Sequence, residues 1–128
     1  MPRLRLALAV LWTLGILLTT TMPTGNVPDV EVANFDKVVH FGLFFGFGLL
    51  WMWALQLRMA RRAMLVLIVG AVGAFGTEGL QMLVPYERTA DLGDVVANLL
   101  GLLGSVGLFA LVYPLLPRSA EPSTHAAQ

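Results

Sequence analysis

Four apolar runs restrict what this chain can become. They cover roughly residues 4–22, 35–56, 63–84 and 95–116, and each is long enough to cross a hydrocarbon core of about 30 Å. In lipid the backbone has no water to bond, so a spanning segment must satisfy its own amides and carbonyls; four α-helices are the expectation. Breakers punctuate the runs: Pro23, Gly25 and Pro28 after the first, Pro85 after the third, Pro114 and Pro117 at the end of the fourth. Composition agrees. Only 12% of the residues are charged and 57% are apolar, against about 25% charged in soluble domains, so the bilayer is the expected solvent. The fold class read from this is all-α, an integral-membrane four-helix bundle over residues 1–117. A polar tail, 118–128, is expected to be disordered.

The charges sort by side once the helices are drawn. Arg3, Arg5, Arg58, Arg61, Arg62 and Arg118 fall on one side, against Lys37 and Arg88 on the other. Seven of the eight acids, all but Glu121, lie on the side of Lys37. The positive-inside rule then puts both termini in the cytoplasm and the acidic side outward. Two arginines before an apolar stretch also resemble the start of a signal peptide. Thr19-Thr20-Thr21-Met22-Pro23 is a poor cleavage site, however, and a retained first helix is expected. The expected location is a cytoplasmic membrane, crossed several times. Zero net charge gives a nucleic-acid partner no electrostatic support, and without cysteine there is no disulfide, thiolate site or thiol nucleophile.

Most of the small and aromatic residues read as packing. Gly42 and Gly46 in helix 2 make a small-xxx-small pair that admits another helix. Gly70, Gly73 and Gly76 in helix 3 and Gly101, Gly104 and Gly107 in helix 4 suggest a tight contact between those two helices. Helix 1, with only Trp12 and a few threonines, reads as a packing helix, and Trp51 and Trp53 as interface anchors. One internal echo stands out: Asp36-x-Val38-Val39-His40 against Asp94-Val95-Val96-x-Asn98, as a duplicated two-helix unit would produce.

Polar residues converge at the acidic side. Residues three or four apart share a helix face, which directs Asp36 and Lys37 toward His40, Glu78 toward Gln81, and Asp91 and Asp94 toward Asn98. Arg88 adds a guanidinium from the loop between helices 3 and 4. Asp36 and Asp94 stand at helix starts, where free amides favour a carboxylate. Glu78 lies seven residues before Pro85, roughly 10 Å down the helix. A charge that deep costs on the order of 2.5–3.5 kcal/mol, so a partner cation, a water-filled cavity or protonation must offset it. A polar network that merely locks the helices together is the competing reading, although apolar packing stabilises a bundle at less cost. Acids and an imidazole without cysteine suit a hard or borderline divalent ion. Without HExxH or another dense ligand motif, no metal-ligating residue is assigned, and any cofactor is left open.

The ordered set Asp36-Lys37-x-x-His40-Phe41, Thr77-Glu78-x-x-Gln81, Arg88 and Asp91-x-x-Asp94-x-x-x-Asn98-x-x-Gly101 closely resembles the VanZ-like family, over about residues 4–116. The resemblance implies a small bacterial integral membrane protein. The family takes its name from a component that lowers sensitivity to teicoplanin-type lipoglycopeptides. It carries over Asp36, Lys37, His40, Glu78, Gln81, Arg88, Asp91, Asp94 and Asn98 as motif positions, with no catalytic assignment to transfer.

Three functional expectations follow. The first is an outward polar pocket for a cell-envelope lipid or lipid-linked wall intermediate. Lys37 and Arg88 would grip an anionic part, Glu78, Asp36 and Asp94 would hold amines, hydroxyls or a bridging cation, and Gln81, Asp91 and Asn98 would line the rest. The second is an enzyme on a lipid-linked substrate, with Glu78 as acid, His40 as base and Asp36 as its orienter. The third is an ion- or proton-coupled permease, which four helices would support only as a dimer.

Overall fold

The computed structural model describes residues 2–21, 35–83 and 91–115. They form four long helices, α1 (Pro2–Thr21), α2 (Phe35–Ala54), α3 (Met59–Leu83) and α4 (Leu92–Val112), the last ending in a 3₁₀ turn at Tyr113–Leu115. All four are long and apolar enough to cross a membrane. The expected spans are therefore present, with shifted ends. Helix α3 starts four residues before 63 and α4 three before 95, because the polar residues there cap and extend helices instead of interrupting them. Asp91 is the case in point: its Oδ1 accepts from the Gly93 amide at 2.7 Å as the N-cap of α4. The expected tail lies outside the described residues.

Helices α2 and α3 each touch all the others, whereas α1 and α4 do not meet among the described residues. The four-residue connection 55–58 turns α2 back into α3. Helices α2 and α4 run parallel, since His40 faces Asn98 and Gly48 faces Ser105. Their approach is the closest in the bundle. A Cβ at Gly101 would overlap the Phe41 carbonyl, and one at Gly48 the Ser105 hydroxyl. The expected α3–α4 contact is made where Leu102 of α4 presses on Gly70 of α3, but the two glycine stripes do not face each other: Gly101 and Gly104 of α4 face α2, and Gly107 faces open space. Equal spacing of glycines marks a face that admits a neighbour but does not name the neighbour. The Gly42–Gly46 expectation is corrected likewise. Gly42 faces open space, and Gly46 makes room for the Trp12 ring, not for a helix backbone.

Ile16, Phe44, Phe47, Met52, Val66, Ala74, Leu102 and Val106 make the apolar core. Far more apolar surface faces out, including Leu11, Val72, Phe75, Leu103 and Leu111. Meanwhile His40, Arg62, Glu78, Asp94 and Asn98 are buried. That inversion is stable only where the surroundings are lipid. Helix α1 packs on α2 through two indoles. Trp12 Nε1 donates to the Leu43 carbonyl at 2.9 Å, and Trp51 Nε1 to Thr13 Oγ1 at 3.0 Å.

Candidate functional site

The parallel run of α2 and α4 brings their first turns side by side, and the two echoing pairs meet. Asp36 and His40 lie one turn apart on α2, Asp94 and Asn98 one turn apart on α4. His40 sits between them. Its Nδ1 is 3.1 Å from Asn98 Oδ1. An amide oxygen can only accept, so this contact puts a ring proton on Nδ1, and in the neutral ring the lone pair is then on Nε2. That Nε2 points toward two carboxylates, 3.8 Å from Asp36 Oδ1 and 3.9 Å from Asp94 Oδ2. Both separations exceed hydrogen-bond length.

Burial divides the group. Asn98 is fully buried. The His40 and Asp94 side chains are 7% and 8% exposed, against 62% for Asp36. The cluster is thus closed toward the bundle interior and open at the helix ends. Asp94 Oδ1 and Asn98 Nδ2 have no hydrogen-bond partner, and a buried polar atom left unmatched costs about 1–3 kcal/mol. Lys37 Nζ is 3.6 Å from Asp94 Oδ1, but its short contact, 2.6 Å, is with Asp91 Oδ2. The ammonium beside Asp91, followed by the Gly93 amide, holds the Asp91 carboxyl below the ordinary carboxylate range.

Glu78 reaches the same level from α3. It is buried near Asp91, Asp94 and His40. Of the expected site residues, the structure therefore gathers Asp36, Lys37, His40, Glu78, Asp91, Asp94 and Asn98 at one end of the bundle. The Gln81 side chain and Arg88 lie outside what is described. No metal ligand was expected from the sequence, yet ligand atoms of Asp36, His40 and Asp94 all lie within 4.8 Å of one another. Chemically, the arrangement offers an oriented imidazole nitrogen, two converging carboxylates and an adjacent ammonium. It can hold a cation, or the polar part of a ligand that carries one.

Sequence reasoning missed the role of Arg62, counting it only among the basic residues of one side. It lies in the first turn of α3 and is buried. Nη1 donates to the Met52 carbonyl and Nη2 to the Leu57 carbonyl, each at 2.9 Å, and the guanidinium rests on the rings of Phe109 and Tyr113. A signal was available, because the last carbonyls of a helix lack partners and attract a cation, and Arg62 follows the end of α2 by only eight residues.

Fold and cluster define a multi-pass membrane protein that turns its polar residues inward at one end of a four-helix bundle. The chain belongs to the VanZ/LLP1 family, whose model matches residues 5–113. It is also similar to an uncharacterized protein of Schizosaccharomyces pombe, C11E3.10, at 40% identity over 87 residues. That match takes in 67% of this chain and 53% of the yeast protein, so the chain corresponds to about half of its relative's length. No solved structure matches the chain.

Proposed function

We propose that this protein binds the polar headgroup of a membrane lipid or lipid-linked molecule at the cluster end of the bundle, on the outer side of the membrane. The observation that carries this reading is the buried, incompletely bonded Asp94–Asn98–His40 set, which opens at the helix ends through Asp36 and Lys37. Ionisable groups are retained within a span for function more readily than for packing. An apolar groove of about 510 Å³ between α1 and α2, lined by Leu8, Leu11, Trp12, Ile16, Leu43 and Leu50, supports it. Its Leu43 wall is one helical turn from His40, so an acyl chain lying there would carry its headgroup to the cluster. In this reading Lys37 and Arg88 attract an anionic headgroup, and Asp36 and Asp94 receive an amine, a hydroxyl or a bridging cation.

The positive-inside distribution supports the outward direction of the site, and a cell-envelope lipid or wall intermediate is the ligand for a bacterial host. Reduced sensitivity to teicoplanin-type lipoglycopeptides is then a secondary consequence of occupying or altering that ligand. The yeast relative favours a headgroup over a wall-specific role, since fungi build no peptidoglycan. Native mass spectrometry of the protein released from membranes tests the reading. A retained lipid, lost on Lys37→Gln with the helical content unchanged, is the expected result. No retained lipid, or the same lipid retained by the variant, would overturn it.

A further inference from the structure

We infer that Asp36, His40 and Asp94 form a divalent-cation site, with Asn98 holding the imidazole from behind. The inference rests on the ligand set alone and stands or falls separately from the headgroup reading.

The first argument is the histidine. Metal-bound imidazoles characteristically donate their second nitrogen to a neighbouring oxygen, which fixes both tautomer and ring plane. His40 is arranged that way: Nδ1 is held by Asn98 Oδ1 at 3.1 Å, and the Nε2 lone pair faces the two carboxylates. The second argument is spacing. Separations of 3.8 and 3.9 Å, with the third no longer than 4.8 Å, are too long for hydrogen bonds. They leave room for an ion about 2.5 Å from each atom, and a contraction of a few tenths of an ångström reaches transition-metal bond lengths.

The third argument is independent of the cluster's acidity. Asp94 Oδ1 and Asn98 Nδ2 are buried and have no hydrogen-bond partner. A side chain 92% withdrawn from solvent, with one oxygen met only by Lys37 at 3.6 Å and no hydrogen bond, is a poor structural element and a ready ligand. Charge gives a fourth. The Asp36 and Asp94 carboxylates converge on the His40 nitrogen, and nearby Lys37 is held more closely by Asp91, at 2.6 Å, than by Asp94, at 3.6 Å. An added cation fits that arrangement.

One nitrogen and two oxygen donors, with no thiolate, suit Mn²⁺ or Zn²⁺ better than Ca²⁺ or Mg²⁺, whose ligands are oxygens. Three protein ligands leave coordination positions open. These face the helix ends, where the half-bared Asp36 marks the exit, and would accept water or a phosphate oxygen.

The test uses the full chain in detergent without added lipid, stripped with EDTA and dialysed against Mn²⁺. Metal analysis is expected to find about one ion per chain, and pulsed electron paramagnetic resonance a nitrogen coupling from an imidazole. His40→Gln removes the coupling. Asn98→Ala weakens binding by about 10–100-fold, the usual loss when a second-layer partner goes. Asp36→Asn, at an exposed position that leaves the fold intact, weakens it as well. Failure of the folded protein to bind Mn²⁺ or Zn²⁺ overturns the site. So do Mn²⁺ bound without nitrogen coupling, and equal binding by the parent and Asp36→Asn.

Discussion

Arg62 and Asp94 are buried to the same degree, 7% and 6% exposed, at opposite ends of the α2–α4 pair. Their surroundings could hardly differ more. Arg62 spends two donors on backbone carbonyls and lays its plane on two aromatic rings, with only Nε left over. Everything it touches belongs to the chain, and what it does is close the α2–α3 corner. Asp94 has one oxygen without a hydrogen bond, approached at 3.6 Å by a lysine that Asp91 holds more closely, and faces an imidazole nitrogen across 3.9 Å. A protein can afford one such residue only if something from outside completes it. The contrast separates a charge consumed by structure from a charge held for a ligand.

The largest effect is expected at the Arg62 end. Arg62→Met fills the space but abandons two carbonyls and two cation–π contacts, and should destabilise the bundle by about 3 kcal/mol. Reversible unfolding in mixed micelles would show it, with lipid and metal binding preserved under folding conditions. Unaltered stability would mean that the two ends are not as different as drawn. Next comes Gly101→Ala, halfway between them. Its methyl group would meet the Phe41 carbonyl and drive α4 away from α2, at about 2 kcal/mol. Because His40 and Asn98 sit across the same seam, ligand affinity should fall together with stability. A matched Gly107→Ala, facing open space, should change neither.

The smallest effect concerns pH at the rim. Asp91 is held below its ordinary value of 3.8 by Lys37 and the Gly93 amide. A depressed carboxylate contributes its stability above the ordinary value and loses it as pH falls through the folded one. The Lys37–Asp91 tie should therefore be constant at neutral pH and give way only in acid, below pH 3.8. Being exposed, it should move the unfolding midpoint little. Comparing Asp91→Asn with the parent across an acid titration checks this. A difference that grows as pH falls would contradict the sign.

How much of this was legible in the sequence follows from what each feature depends on. The spans were legible because lipid imposes a length and a composition that any run of twenty residues reveals. Asp36 with His40 and Asp94 with Asn98 were legible as pairs, since one helical turn is a local fact. That the two pairs meet face to face depends on α2 and α4 running parallel and touching through Gly101, which no spacing within one helix encodes. The same limit misassigned the glycine seam to α3. Arg62 was hidden for another reason. Charge patterning along a membrane chain treats every arginine as a solvated flank, and Arg62 satisfies the positive-inside count while being buried. Glu78 was singled out by its depth alone, and the structure places it beside the cluster it was expected to join.

The central claim is that Asp94 is kept for a ligand at a cost to the empty fold. Asp94→Asn tests it most directly, because the amide keeps the shape and removes the charge. Stability and Mn²⁺ and lipid retention should be measured on the same metal-free and lipid-free preparation before and after loading. The account predicts that the empty variant unfolds at the same denaturant level as the parent or higher, by up to about 1 kcal/mol, while retention of ion and headgroup collapses. A variant that is clearly less stable when empty, or that still binds both as the parent does, would show Asp94 to be a structural residue like Arg62.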